Sequence, residues 1–101
     1  MGSYRVLRTD EFMKEYRTLA QQERFWIYKM QKKFTVHPTG KILRYSWFRE
    51  KKFGNKRLYF LVDEETKKVL LIAFDSKKEQ QKIIDYVTKN MDALFRFLRN
   101  P

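Results

Sequence analysis

Seven bases and a single acid fall within residues 41–60: Lys41, Arg44, Arg49, Lys51, Lys52, Lys56 and Arg57 against Glu50. Clustered ammonium and guanidinium groups bind polyanions, because they replace condensed counterions around phosphate or carboxylate oxygens. The whole chain of 101 residues has 23 Lys and Arg against 12 Asp and Glu, a net charge of +11. Residues 61–101 are nearly balanced, with eight bases and seven acids, so the excess is local. A solvated face is the plain alternative, but solubility does not require clustering. The cluster therefore predicts a nucleic acid or an acidic protein as partner.

Other chemistries lack their parts. The absence of Cys excludes disulfides and thiolate zinc sites. The single His37 excludes a multi-His metal centre and reads as a loop residue. There is no Gly-rich phosphate loop, paired-carboxylate arrangement or metal-spaced cluster, so no metal and no cofactor are expected. No apolar run approaches the roughly 18 residues of a membrane span, and no signal peptide is visible. These features indicate a soluble cytoplasmic protein without a membrane partner.

The elements that would carry the basic cluster centre on two apolar runs, Leu58–Val62 and Val69–Phe74, separated by polar Asp63–Lys68. Their shortness, aromatic and β-branched content and charged break predict a hairpin of buried strands. Alternation puts Leu58, Phe60 and Val62 on one face and Tyr59 and Leu61 on the other. Upstream, Tyr4–Arg8 reads as a first strand. Thr9 then caps a helix that bears Asp10 and Glu11 in its first turn. A second helix runs from about Gln21 to Phe34. Its Phe25-Trp-Ile-Tyr28 sweep covers too much of the circumference to face one core, so either both sides of the helix are covered or one aromatic awaits a partner, with most of the four expected in the core. His37-Pro-Thr-Gly40 breaks the helical region. Leu43–Phe53 reads as one long strand, and Gly54-Asn55 as a tight turn. After Phe74, Asp75 or Ser76 caps a last helix of some twenty residues. Its stripe of Ile84, Val87, Met91, Leu94, Phe95 and Leu98 predicts packing on the sheet, with Val87 and Met91 buried. The expectation is a single α+β domain over residues 1–101: strand, helical hairpin, three-stranded antiparallel meander, C-terminal helix.

Tyr4-Arg-Val, then Thr9-Asp-Glu-Phe12 with Lys14, then Gly40-Lys-Ile-Leu-Arg44 and the Trp47 strand stand in a distinctive order. With Lys52-Phe-Gly-Asn-Lys-Arg57-Leu-Tyr59 they resemble the RelE/ParE superfamily of type II toxin–antitoxin toxins, over about residues 4 to 78. The resemblance implies a metal-independent endoribonuclease in the RelE manner, cutting mRNA on the ribosome and silenced by an acidic antitoxin. Two alternatives stay open: a ParE-like inhibitor of DNA gyrase, and a non-catalytic RNA- or DNA-binding member. On the family pattern Arg57 holds the scissile phosphate and Lys52 is a basic catalytic position on the preceding strand. Arg44, Arg49, Lys51, Lys56 and Lys78 would grip RNA. The chain departs after the last strand, where family nucleases show a Gly-His-Arg or Gly-Lys-Arg run and then a Tyr or His. Here Asp75-Ser-Lys-Lys78 precedes Glu79-Gln-Gln81, so Lys77 or Lys78 would replace the arginine. Tyr86 falls inside the helix, where packing is its expected role. A role for Arg57 without chemistry is also open, as partner of an acid such as Asp63 or Glu50.

Overall fold

A computed structural model describes residues 3–100. In chain order the elements are β1 (Arg5–Arg8), α1 (Asp10–Tyr16), α2 (Gln21–Phe34), β2 (Lys41–Ile42), β3 (Phe48–Phe53), β4 (Lys56–Asp63), β5 (Lys68–Ser76), a 3-10 turn (Lys77–Glu79), α3 (Gln80–Lys89) and α4 (Met91–Arg99). One five-stranded sheet has the order β1-β5-β4-β3-β2. The α+β expectation holds, with additions. β1 pairs parallel to β5 and closes one side of the sheet, while β2 through β5 are antiparallel neighbours. Among the described residues no helix is long and apolar enough to cross a membrane.

The two central strands are apolar at consecutive positions because both of their faces are covered. Leu58, Phe60 and Val62 meet Phe12, Ile27 and Phe34 under α1 and α2. Tyr59 and Leu61 meet Val87, Leu94 and Leu98 under α3 and α4. The alternation therefore falls as the sequence predicts. In α2, Trp26 and Ile27 turn inward, whereas Phe25 and Tyr28 stay 61% and 50% exposed. The expected cap is also present, with the Thr9 hydroxyl accepting the Phe12 N–H at 3.0 Å.

Three expectations need correction. The long strand Leu43–Phe53 is interrupted: Lys41–Ile42 and Phe48–Phe53 are strands, and residues 43–47 form a bend. Tyr45 and Trp47 stack at 4.5 Å within that bend, and Trp47 meets Phe95 edge-on at 5.0 Å. The last helix is two helices. Asn90 ends α3, donating from both its backbone and its side-chain amide to the Tyr86 carbonyl, a C-terminal cap. Its own carbonyl then accepts the Leu94 N–H and starts α4. Finally, Val87 is buried but Met91 is only half-buried, beside Trp47 and Phe95 at the rim of a hollow. Leu98→Ala, wholly inside the core, should accordingly cost about 2–5 kcal/mol. Met91→Ala should cost clearly less, a difference read as urea midpoints at unchanged slope.

Two local devices aim the strand ends. Ile72 is an extra residue in β5, because Phe60 faces Leu71 while Tyr59 faces Ala73. The bulge turns Phe74 to the helix side, where Trp26 lies 6.0 Å away, and sets Asp75 rather than Phe74 opposite Arg57. Gly40 lies so close to β3 that a Cβ there would sit 2.6 Å from the Glu50 carbonyl oxygen. Only glycine lets the chain enter β2 at that distance, and this brings Lys41 opposite Glu50.

Candidate functional site

Register assembles the site. On the sheet face that carries α3, one row across the strands is Lys41, Glu50 and Tyr59. The next row is Lys52, Arg57 and Asp75. Strands about 4.8 Å apart place these groups within reach of one another. The two-residue turn Gly54-Asn55 closes the β3–β4 end, with Gly54 at φ +61 supplying the conformation that such hairpins need. Immediately after β5 the 3-10 turn delivers Lys77 and Lys78. The result is a hollow of about 500 Å³ lined by Lys52, Gly54, Asn55, Arg57, Ser76, Lys77 and Lys78. A smaller one of about 270 Å³ adjoins it, lined by Lys41, Glu50, Lys52 and Arg57. Lys52 and Arg57 belong to both.

Arg57 is paired with an acid, and the acid is Glu50: Nε lies 2.6 Å from Oε1. Asp63 has a different partner, the Arg99 guanidinium at 2.9 Å, which holds its carboxyl below the usual carboxylate range. Glu50 is 5% exposed. Its Oε2 accepts a hydrogen bond from Gln80 Nε2 at 3.1 Å. Its Oε1 is close to Arg57 but off the N–H axis, and no hydrogen bond reaches it. A buried carboxylate oxygen without a donor is costly. Arg57 at 2.6 Å offsets part of that cost, and Glu50 and Arg57 together line the smaller hollow. Beneath it Tyr59 is fully buried, and that burial pushes its hydroxyl pKa up.

Of the residues assigned from the sequence, Lys52, Arg57, Lys77 and Lys78 are brought together. Arg49, Lys51 and Lys56 are not, since they have the opposite parity and face α1 and α2. Arg49 binds the Pro38 and Ser46 carbonyls at 2.8 and 3.1 Å and so ties two loops together. Lys56 pairs with Glu23 at 3.0 Å. Burial, and then the neighbouring Lys33 ammonium, lower the pKa of Lys51. Arg44 stands exposed in the bend, its guanidinium 5.9 Å from the Tyr45 ring, and lines neither hollow. Tyr86 is exposed and not packed; it lines a separate hollow with Thr9, Glu11, Glu15 and Lys82. Gln80 was missed, Lys41 was counted only among the seven bases, and Glu50 was named only as a partner for Arg57, which it is. For Glu50 a signal existed, being the one acid in the basic stretch and two positions from Lys52.

No protein-family model and no curated protein matches the chain. Solved structures do match its fold. A variant of E. coli toxin RelE in the free state superposes with a TM-score of 0.73 at 20% identity, covering 87% of this chain and 97% of that one. The toxin–antitoxin complex RelBE from Mycobacterium tuberculosis gives 0.64 at 20% identity, over 74% and 99%. The archaeal RelE–RelB complex from Pyrococcus horikoshii gives 0.64 at 12%, over 74% and 96%. At these identities the likeness is one of fold.

Proposed function

We propose that this chain, which has the fold of the RelE toxins, is the toxin of a type II toxin–antitoxin pair and an endoribonuclease acting on ribosome-bound mRNA. The observation that carries the reading is the convergence of Lys52, Arg57, Lys77 and Lys78 on one hollow, with the Glu50 carboxylate paired to Arg57 in the hollow that adjoins it. RNA offers a phosphate for the cations and a 2′-hydroxyl for the carboxylate; DNA offers only the phosphate.

Cleavage by the 2′-hydroxyl needs three services. The Glu50 carboxylate takes the hydroxyl proton as the 2′-oxygen bonds to phosphorus. Arg57 and Lys52 hold the phosphate oxygens on which charge accumulates. The bond to the 5′-oxygen breaks, and that oxygen takes a proton from an ammonium group, Lys77 or Lys78. The products are a 2′,3′-cyclic phosphate and a free 5′-hydroxyl. An antitoxin partner fits the same reading, since an acidic segment laid across this hollow would neutralise it.

The deciding experiment is primer extension on message translated by purified ribosomes in the presence of the chain. Cuts there support the reading. No cuts there and none on free RNA would end it. A specific observation keeps ParE-like inhibition of DNA gyrase as the second reading: Phe25 and Tyr28 stand exposed on α2, away from any catalytic group. Loss of gyrase supercoiling without RNA cleavage would select it.

The parity of the strands makes a separate prediction. Replacing Lys52, Lys77 and Lys78 together by Gln should flatten the salt dependence of RNA affinity by about two units of log–log slope, at roughly 0.7 per single-strand phosphate contact. Replacing Lys51 and Lys56, on the opposite face, should leave the slope nearly unchanged.

A further inference from the structure

The hydrogen bond from Gln80 to Glu50 joins the first residue of α3 to the floor of the hollow. Gln80 lies in the same short segment as Lys77 and Lys78, so one turn of chain supplies both cations and the brace. The carboxylate has two oxygens, and Gln80 engages only Oε2. Oε1 lies 2.6 Å from Arg57 Nε, so the two oxygens are held from two sides. Were the amide absent, no other side-chain hydrogen bond among the described residues would hold Oε2, and the Arg57 ion pair alone would orient the carboxylate.

We infer that Gln80 is a positioning residue: with Arg57 on the other oxygen, it fixes the orientation of the Glu50 carboxylate at the floor of the hollow. The inference rests on the function proposed above for its catalytic consequence, but the orientation of Glu50 is a property of the protein alone.

The test has two arms. Crystal structures of the unmutated chain, of Gln80→Met, which keeps the length but removes the donor, and of Gln80→Glu, which sets a second carboxylate against the first, are compared at the Glu50 side chain. The carboxylate should keep its orientation in the unmutated chain and turn in both variants. In the second arm, single-turnover RNA cleavage should slow roughly tenfold or more in Gln80→Met, the worth of one hydrogen bond to a charged group, at unchanged RNA affinity. A carboxylate that keeps its orientation in both variants overturns the inference whatever the cleavage assay gives. If the unmutated chain cuts no RNA while the carboxylate turns as expected, the proposed nuclease function fails and the brace stands.

Discussion

Arg57→Lys should slow RNA cleavage about 10²–10³-fold while leaving the chain folded, the usual loss on removing one preorganised donor to a developing oxyanion. Lysine keeps the positive charge that Glu50 requires but loses the planar fork that can hold two phosphate oxygens at once. Arg57→Ala is the poorer probe, and the reason lies in the ion pair. Arg57 is itself mostly buried and pairs at 2.6 Å with a carboxylate that is almost wholly so. Truncating one member of such a pair costs about 3–5 kcal/mol, because the remaining charge is left uncompensated. Against a total stability on the order of 5–15 kcal/mol, that loss could empty the folded state and mimic a catalytic defect. Glu50→Gln combined with Arg57→Ala should recover much of the stability without recovering cleavage. Single-turnover rates beside urea melts separate the two effects. Cleavage by Arg57→Lys at the unmutated rate would remove Arg57 from the chemistry and leave it as a structural partner of Glu50.

Much of the scaffold was readable because it is governed by local rules. The alternation through Leu58–Val62, the Thr9 cap and the Gly54-Asn55 turn depend on residues a few positions apart. What escaped depends on partners distant in sequence. The pairing of β1 with β5 joins residues more than sixty positions apart, and nothing in Arg5–Arg8 specifies a parallel neighbour. The stripe along Ile84–Leu98 continues unbroken across Asn90, so periodicity could not reveal that the helix stops and restarts. In Leu43–Phe53 the alternation of Leu43, Tyr45 and Trp47 imitated a strand. The adjacent aromatics Trp47 and Phe48, both of which join the α3–α4 core, were the sign that it did not run through. Charge counting found the site region but not its sides. Seven bases in twenty residues look like one patch until the strands divide them, sending Lys41, Lys52 and Arg57 to one face and Arg49, Lys51 and Lys56 to the other, with Arg44 left in the bend.

Glu50→Gln is expected to have the largest effect on cleavage, a loss of about 10²–10⁴-fold, the range for a positioned general base. The substitution is nearly isosteric. The Gln side chain keeps a carbonyl oxygen that can accept from Gln80, so the packing around Tyr59 and the N-terminus of α3 is retained. Arg57 loses its counter-charge while mostly buried, so part of the cost of breaking the pair is expected here too, and rates must be read per folded molecule. Binding should move the other way. Glu50 is a negative charge among Lys41, Lys52 and Arg57, and removing it strengthens the field that draws phosphate in. The expected pattern is therefore tighter RNA binding with almost no cutting, the reverse of the lysine variants, which should bind more weakly. A single-stranded DNA of the same sequence should bind the unmutated chain but gain nothing from Glu50, since it has no 2′-hydroxyl to donate. If Glu50 is instead only the structural partner of Arg57, Glu50→Gln will lower the urea midpoint and leave the cleavage rate of the folded fraction unchanged. Rates normalised to folded protein, with RNA and DNA affinities measured at one salt concentration, decide between the two.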